Sequence, residues 1–577
     1  MAYDQFGVGE TDLNLFGRAS RDPNPDEHPR QVMRCMGMCV ASKRVGLVAS
    51  PIPLPTTGCP NGSIVLSWSR GIPVSHVVPI PISPAYQRRR PEAGVLYQVI
   101  RENYRTFASL REEEGRPLPR FVEREFEKYL ACGILSKGFA RVHCKNCGYD
   151  RLVGFSCKGR GFCPSCLGRR MNDGAAFLSD RVLDDTPVRH WVLSLPPPLR
   201  YLLAYDPALV TDVVTAFIRS VFAYLRRKAK ATLGLESVTL AHPGAVTVIQ
   251  RCSGHLALNV HFHSLITDGV FIQESPDGPV DFQSLPRPVD FQSLPPPGDD
   301  EITAVAWDAC RRTRDVLVRR GLWQEDVDDG EDDPLLETQP GLADLCQASL
   351  RGVLALGPRR GQRVVQFFGQ AASGEDVPDL RRRGYGFNLD ARQSVPAGDR
   401  DGLERLARYL LRPPLAQTRL KRRSDGRVML RLKRPWRNGT EGMIFEPIDF
   451  LAKLAVLVPP PRMNTIRFHG VYAPNARLRS EVVPAREDDA CENCTRGEGD
   501  ETRDSPYRQS WARLLARVFS IDVLECPRCA SRMQRIAWMT ESATIRKILR
   551  SVGLSADSPE LHPALTAEEL FYEDWVA

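Results

Sequence analysis

The spacing of apolar and polar residues changes along the chain and predicts a mixture of helices and strands. After Pro91 apolar residues recur every three or four positions, which is typical of amphipathic helices. Further on, short apolar runs rich in β-branched residues indicate strands. The predicted elements are helices at 95–107, 121–130 and 212–230 and strands at 191–195 and 245–250. Their order predicts an α+β fold.

The segment 259–265 is a predicted strand that carries two histidines. Side chains alternate between the two faces of a strand, so His261 and His263 point the same way while Phe262 packs behind them. Two imidazoles on one face can bind a divalent cation. A single strand histidine is more often structural, so the pair requires a partner before it indicates a metal site.

A helix is predicted about 150 residues further on, beginning near Asp401 and ending before Pro413. Asp401 and Glu404 resemble a capping box, and the proline stops the helix. Its apolar stripe consists of Leu403, Leu406 and Leu410. Tyr409 falls on the flank of this stripe, so its hydroxyl can reach a cleft while its ring stays partly packed. Simple packing is the alternative interpretation.

A basic segment overlaps this helix and continues beyond it. Between Arg405 and Arg437 there are twelve Lys or Arg residues and one acid, Asp425. A solvated face is the usual meaning of such a run, but this density next to the tyrosine suits a DNA phosphate backbone. The residues predicted to contact DNA are Arg408, Arg412, Arg419, Lys421, Arg422 and Arg423, together with Lys158 and Arg160 of the segment described next.

Two CxxC pairs predict a zinc site upstream. Cys144 and Cys147 are followed after fifteen residues by Cys163 and Cys166, a spacing that lets two tight turns present four thiolates to a tetrahedral Zn²⁺. Buried free cysteines are the alternative. Spare donors nearby leave the ligand set open, namely Cys132, His143 and Cys157. The surrounding positive charge suits a module that contacts DNA.

A further CxxC pair, Cys526 and Cys529, follows a predicted amphipathic helix at 511–518. Cys491 and Cys494 form another pair upstream of it, with 31 residues between the two pairs. One interpretation is a second zinc site made by both pairs. A redox motif is less favoured, because no thioredoxin-like βαβ unit surrounds it.

Composition agrees with a globular DNA-acting protein without requiring one. The chain has 577 residues, of which 42% are apolar and 26% charged, and 78 basic and 70 acidic residues give a net charge of +8. We find no apolar run of about twenty residues and no signal-peptide pattern, so we expect no membrane partner and a cytoplasmic location. The sixteen cysteines then indicate thiols and metal sites.

Four regions are predicted along the chain. Residues 1–87 are proline-rich and lack periodicity, which predicts a poorly ordered leader. A helical and zinc-binding domain at 88–182, a catalytic domain at 183–460 and a C-terminal region at 461–577 follow. The catalytic domain has loop insertions at 275–300, where PVDFQSLP occurs twice (279–286 and 288–295), and at 325–340, which is strongly acidic.

Several long motifs resemble the rolling-circle transposases of the insertion sequence ninety-one family. The two that carry the chemistry are HFHSLITDGVF at 261–271 and RYLLRPPLA at 408–416. Further matching motifs are RVHCKNCGYDRLVGFSCKGRGFCPSCLGRRM at 141–171, RHWVLSLPPPLRYLLAYD at 189–206, FHGVYAPNARLR at 468–479 and DVLECPRCASRM at 522–533. The resemblance implies a His-hydrophobic-His nuclease domain, with an antiparallel sheet plus helices, preceded by a small zinc-binding domain.

The resemblance also implies the chemistry. Tyr409 would attack a DNA phosphodiester to give a 5′-phosphotyrosine link, and His261 and His263 would hold Mg²⁺ or Mn²⁺. Such enzymes nick and rejoin single-stranded DNA at element ends without a nucleotide cofactor, and their zinc is structural. Arg405 stands where some relatives have a second tyrosine, and Asp390 stands where relatives have histidine. The candidates for a third metal ligand are Asp268, Asp390, His469 and, less favoured, His255.

Two other functions stay open at this point. A plasmid replication initiator or relaxase uses the same nicking chemistry on a different DNA site. A catalytically inactive zinc-dependent DNA-binding protein would keep the cysteines without cutting. The intact His261, His263 and Tyr409 favour an active enzyme over the inactive alternative.

Overall fold

The computed structural model describes residues 88–183, 186–272, 290–323, 333–368, 383–384, 386–483, 517 and 524–570. The chain divides after Ser83, and the unit from Pro84 onward contains all of these residues. Several predicted segments lie outside the described residues: the leader, the first copy of the repeat, residues 325–332 of the acidic insertion, the pair Cys491 and Cys494, and the helix expected at 511–518 apart from Arg517.

The first part of the unit consists of three helices and a hairpin, and the first two helices are those that the helical spacing predicted. Pro119 ends the linker before the second helix, and a proline also opens the third. The elements are α1 (Val95–Glu113), α2 (Arg120–Ala131), β1 (Phe139–His143), β2 (Asp150–Gly154) and α3 (Pro164–Phe177).

The next part alternates strands with long helices. The predicted strands and the predicted long helix are confirmed here. The elements are β3 (Val188–Ser194), α4 (Pro197–Tyr205), α5 (Pro207–Leu233), β4 (Ala241–His242), β5 (Gly244–Cys252), β6 (Leu258–Thr267), β7 (Gly269–Ile272), β8 (Asp290–Ser293), α6 (Asp299–Arg319), α7 (Pro334–Thr338) and α8 (Pro340–Arg351). The second copy of the repeat was expected to be a loop, but its residues form β8 because they pair with β7.

The remaining elements contain the tyrosine helix and the C-terminal tail. They are β9 (Val365–Phe368), β10 (Arg383–Gly384), β11 (Phe387–Val395), α9 (Arg400–Leu411), β12 (Leu420–Arg422), β13 (Val428–Arg431), β14 (Thr440–Phe445), α10 (Pro447–Leu457), β15 (Ile466–Gly470), α11 (Arg479–Val482), β16 (Gln534–Met539) and α12 (Ser542–Ser551). The cap of α9 differs from expectation: Asp399, rather than Asp401, accepts the backbone N–H of Gly402 at 2.8 Å.

A six-stranded antiparallel sheet forms the centre, in the order β10-β11-β3-β6-β5-β15. One face packs against α9 and α3 through a buried apolar cluster that includes Val248, Leu265 and Leu410. The other face is covered by helices, and there Trp191 meets Tyr224 of α5 edge-on at 6.2 Å between ring centroids. Strand β15, which lies beyond the predicted boundary at residue 460, completes this sheet by pairing with β5.

Smaller sheets surround the central one. The order β12-β13-β14-β9 forms a four-stranded sheet in the basic segment, and β4-β7-β8 forms a three-stranded one. A third sheet, β16-β1-β2, joins the C-terminal tail to the first hairpin. Within the described residues one helix, α5, is long and apolar enough to cross a membrane, and 67% of its apolar window is buried inside the protein.

Candidate active site and two cysteine clusters

The histidine pair lies on β6 and shares one face of the central sheet. Phe262 between the two histidines is fully buried on the opposite side. The ring centroids of His261 and His263 are 4.9 Å apart and the ring planes meet at 67°. The predicted common orientation of the pair is confirmed.

A third imidazole, which the sequence analysis missed, comes from β3. Val192 lies directly opposite His263, so His190, two residues earlier, returns to the same face. Its Nε2 lies 2.9 Å from Nδ1 of His263, and the two rings stack with centroids 5.1 Å apart. The residue stood inside a recognised motif, but periodicity alone does not tell which strands are neighbours.

Hydrogen bonds determine which ring nitrogen of each histidine stays free. Nδ1 of His261 lies 2.8 Å from the carbonyl of Asn259, which can only accept, so Nδ1 carries the proton and Nε2 keeps its lone pair. On β11, Gln393 presents its oxygen 3.3 Å from Nδ1 of His190. In that arrangement Nδ1 of His190 donates to Gln393, and Nε2 of His190 accepts from Nδ1 of His263.

Nε2 of His263 therefore also keeps its lone pair. This atom is buried and has no hydrogen-bond partner among the described residues. An orphaned buried nitrogen is costly unless something binds it, and a metal ion fits the donor set of two Nε2 atoms. His261 and His263 are thus suited to hold a divalent cation together.

Burial favours the neutral imidazoles that metal binding requires. It is the main cause that lowers the pKa of His263 to about 2, and His261, His190 and Arg412 add to the effect. Burial likewise lowers the pKa values of His261 and His190. Near neutral pH these rings do not need to lose a proton before binding a metal.

Tyr409 faces these histidines from α9. Its ring centroid lies 6.0 Å from that of His263 and 6.4 Å from that of His190, with the rings nearly perpendicular. The predicted apolar stripe is buried, while the Tyr409 side of the helix is open and this residue is 45% exposed. The amide of Gln250 on β5 donates to the carbonyl of Leu410 at 2.6 Å, which ties the end of the helix to the sheet.

A group of cations lies beside the tyrosine. The guanidinium carbon of Arg412 is 4.4 Å from the ring centroid of Tyr409. Burial lowers the pKa values of Arg419 and Lys433, and the charge of Arg412 lowers both further. Positive groups this close together repel each other, and a bound anion would relieve the repulsion. The position therefore suits a phosphate group.

Most residues predicted to contact DNA already have partners in the chain. Ion pairs join Arg408 to Glu404, Arg422 to Glu102 and Arg423 to Asp425. Arg160 and Arg419 donate to backbone carbonyls, and their contact with DNA stays a prediction. The predicted residues with neither an ion pair nor a side-chain hydrogen bond to a described residue are Arg412, Lys421 and Lys158.

The first two candidates for a third metal ligand are His469, which lies on the other face of the sheet, and Asp268, which is bound by an arginine. His469 of β15 is paired with Ala245, which puts it on the Phe262 side of the sheet. Asp268 is held by two hydrogen bonds from Arg189, at 2.9 and 2.7 Å.

The remaining two candidates are also engaged elsewhere. His255 packs edge-on against Trp436, 5.1 Å between ring centroids. Asp390 shares the face of His190 but is paired with Arg392 at 2.7 Å. The third ligand stays unassigned.

In the described part of the chain, two groups of at least three His, Cys, Asp or Glu side chains have their donor atoms within 4.8 Å of one another. Each group consists of four cysteines. The first, here called the helical cluster, contains Cys132, Cys157, Cys163 and Cys166. The second, called the knuckle cluster, contains Cys144, Cys147, Cys526 and Cys529. All eight cysteines are free thiols, and these donor sets support Zn²⁺ binding.

The predicted single zinc site is therefore divided between two clusters. The spare donors Cys132 and Cys157 complete the helical cluster with Cys163 and Cys166, while the other spare donor, His143, pairs with Asp150 at 2.9 Å. The sequence spacing misled because Cys144 and Cys147 lie at the end of a hairpin whose partner strand, β16, comes from the other end of the chain. The expected partners Cys491 and Cys494 lie outside the described residues.

Comparison with known families gives two matches along the chain. Residues 99–195 match the family model for a transposase zinc-binding domain of IS91 type, and residues 336–480 match one described as "Putative transposase". The first match includes the helical cluster and His190, and the second includes Tyr409. His261 and His263 lie between the two. Neither a curated protein nor a solved structure matches the chain.

The two matches support an IS91-family transposase, the family that the motifs resemble. A transposase binds DNA and cuts and transfers its strands. The two matches and the cysteine clusters thus support a transposase that acts on DNA and has a zinc-binding domain.

Proposed function

We propose that this protein nicks and rejoins single-stranded DNA at the ends of a mobile element through a 5′-phosphotyrosine intermediate, as in rolling-circle transposition. The observation that carries the proposal is the position of the Tyr409 ring, 6.0 Å from His263 on a face that also presents His261. Arg405, one turn earlier on α9, makes it a single-tyrosine enzyme.

In this proposal Nε2 of His261 and Nε2 of His263 would hold Mg²⁺ or Mn²⁺. When bound, such an ion polarises the scissile phosphate and stabilises the charge that develops on it. The chain supplies the orientation: Asn259 fixes the ring of His261, and His190 with Gln393 fixes that of His263. Arg412 faces the same space and would hold a phosphate oxygen next to Tyr409.

The chemical step exchanges one ester for another. The phenolic oxygen of Tyr409 forms a bond to phosphorus as the bond from phosphorus to the 3′ oxygen breaks, and the phenolic proton leaves to solvent. The 3′ oxygen takes up a proton and departs as a hydroxyl. Because the ester energy is kept in the tyrosine link, a 3′ hydroxyl can later attack it and rejoin the strands without a nucleotide cofactor.

A nicking assay tests the proposal. Labelled single-stranded oligonucleotides of the element ends are incubated with the purified full chain and Mg²⁺ or Mn²⁺. We expect cleavage by the wild type and by Tyr472→Phe, whose phenol is fully buried, and none by Tyr409→Phe or His263→Ala. Cleavage by Tyr409→Phe at the wild-type rate would contradict the proposed nucleophile.

The same assay separates the alternatives. A chain that cuts a plasmid origin but not element ends would be a replication initiator or relaxase. A chain that binds these DNAs and cuts none would be an inactive binding protein. Either result would overturn the proposed function.

A further inference from the structure

We propose that the knuckle cluster binds a second Zn²⁺, distinct from that of the helical cluster, and that this ion fastens the C-terminal tail to the N-terminal zinc-binding region. The match to the zinc-binding family ends at residue 195, whereas two of the four ligands, Cys526 and Cys529, come from the tail. The inference concerns folding and metal content, and it stands whether or not Tyr409 is the nucleophile.

The sulfur geometry fits one tetrahedral ion. Sγ of Cys144 lies 3.5 Å from that of Cys529, and Sγ of Cys147 lies 3.4 Å from that of Cys526. Four sulfurs at about 2.3 Å from a central Zn²⁺ are about 3.8 Å from one another. These separations are far longer than the roughly 2.05 Å of a disulfide bond.

The two turns that supply the ligands have the same backbone hydrogen bonds. In the first turn the N–H of Gly148 donates to the carbonyl of Cys144, and the N–H of Cys144 donates to the carbonyl of Tyr149. In the second turn the N–H of Ala530 donates to the carbonyl of Cys526, and the N–H of Cys526 donates to the carbonyl of Ser531. All four bonds are 2.9 Å long.

Both turns also need the left-handed backbone at the residue after the second cysteine. Gly148 has φ of +71°, which costs glycine little, but Ala530 has φ of +56°. An alanine there costs on the order of 1 kcal/mol, so something must hold the second turn in this shape. Each turn closes a short antiparallel pair, His143 with Asp150 and Glu525 with Arg532. Together they form a matched pair of zinc knuckles.

The described residues of the tail bury only small apolar groups against the rest of the chain. Strand β16 pairs with β1, yet its side chains are mostly exposed, including Ile536 at 47% and Trp538 at 57%. The apolar contacts include a small group around Val142 and Met533, Ile545 and Leu549 of α12, and the ring of Trp538, whose centroid lies 5.7 Å from that of Phe155. A core this small is seldom stable without a metal or a cross-link, which is the role we assign to the ion.

Zinc counting by native mass spectrometry on the intact full chain tests the ligand set. We expect two Zn²⁺ in the wild type and one in Cys526→Ser/Cys529→Ser, while Cys491→Ser/Cys494→Ser should keep both. Two ions retained in the first variant would overturn the inference. So would the loss of an ion in the second variant, since that would mean that the tail cysteines pair with Cys491 and Cys494.

A second experiment uses the wild-type cysteines and so does not depend on how a variant folds. A protease recognition site is inserted between residues 484 and 516, and the chain is cut under native conditions. The fragment that contains Cys526 and Cys529 should stay bound to the rest of the protein and should be released when a chelator removes zinc. Release while both ions are still bound, or retention after both have been removed, would contradict the fastening role.

Discussion

The central sheet and the knuckle cluster hold their metal donors in different ways. His261 and His263 lie on a strand in the middle of a six-stranded sheet, and Phe262 behind them has no exposed surface. Cys526 and Cys529 lie on a tail whose strand is largely exposed and whose apolar contacts are few. We therefore expect that the sheet orients its donors before a metal binds, whereas the knuckles depend on the metal for their shape.

Removal of zinc should give the largest difference between the two regions. A structural Zn²⁺ contributes roughly 10–16 kcal/mol of binding free energy in small zinc domains, so chelation should unfold the region around β1, β2 and β16. The central sheet should persist, because its core does not include the cysteines. Hydrogen exchange measured before and after chelation tests this. Equal loss of protection in β1 and β6 would mean that the central sheet also depends on zinc.

Truncation of Phe262 should destabilise the central sheet and leave the zinc-binding region unchanged. Phe262→Ala leaves a cavity behind the histidine pair and should lower the free energy of unfolding of the sheet by about 3–5 kcal/mol. Chemical denaturation monitored by circular dichroism gives the value, and the zinc content of the variant should stay at the wild-type level. A loss below about 1 kcal/mol would mean that this core does not orient the histidines.

Acid should weaken the sheet through His469. Burial is the main cause that lowers its pKa to about 4, while an unfolded histidine titrates near 6.5. The unfolded chain therefore takes up a proton first, so the contribution of this residue is complete above pH 6.5 and is lost as the pH falls towards 4. Between pH 7 and pH 5 the loss is on the order of 2 kcal/mol.

The matched variant for this effect is His469→Gln, studied at the same pH values so that contributions from zinc cancel. Its unfolding free energy should depend less on pH than that of the wild type. An identical pH dependence would show that His469 is not held neutral in the folded protein.

His190 should have a smaller effect, as a positioning residue. It touches Nδ1 of His263 and not the free Nε2, so His190→Phe should weaken Mn²⁺ binding by about 10–100-fold without unfolding the sheet. Titration of Mn²⁺ followed by electron paramagnetic resonance measures the affinity. Gln393→Leu should weaken binding in the same direction, because it removes the acceptor for Nδ1 of His190. Unchanged affinity in both variants would contradict the proposed hydrogen-bond chain.

Local patterns predicted the parts of the molecule that depend on neighbours in sequence. The face of His261 and His263, the stripe of α9 and the exposed flank with Tyr409 follow from strand and helix periods. His190 and the partition of the cysteines were not predictable in this way, because both depend on which distant strands pair. The tail ligands Cys526 and Cys529 stand more than 370 residues from their partners, and the pairing of β16 with β1 brings them together.

Mapping of the protein–DNA adduct tests whether Tyr409 forms a covalent link to DNA. The full chain is incubated with a labelled single-stranded element end and a divalent cation, denatured, and digested for mass spectrometry. We predict a nucleotide attached to the peptide that contains Tyr409, and no adduct in Tyr409→Phe, which keeps the ring and its contact with Arg412. An adduct on another tyrosine, or no adduct with any single-stranded substrate, would contradict the account.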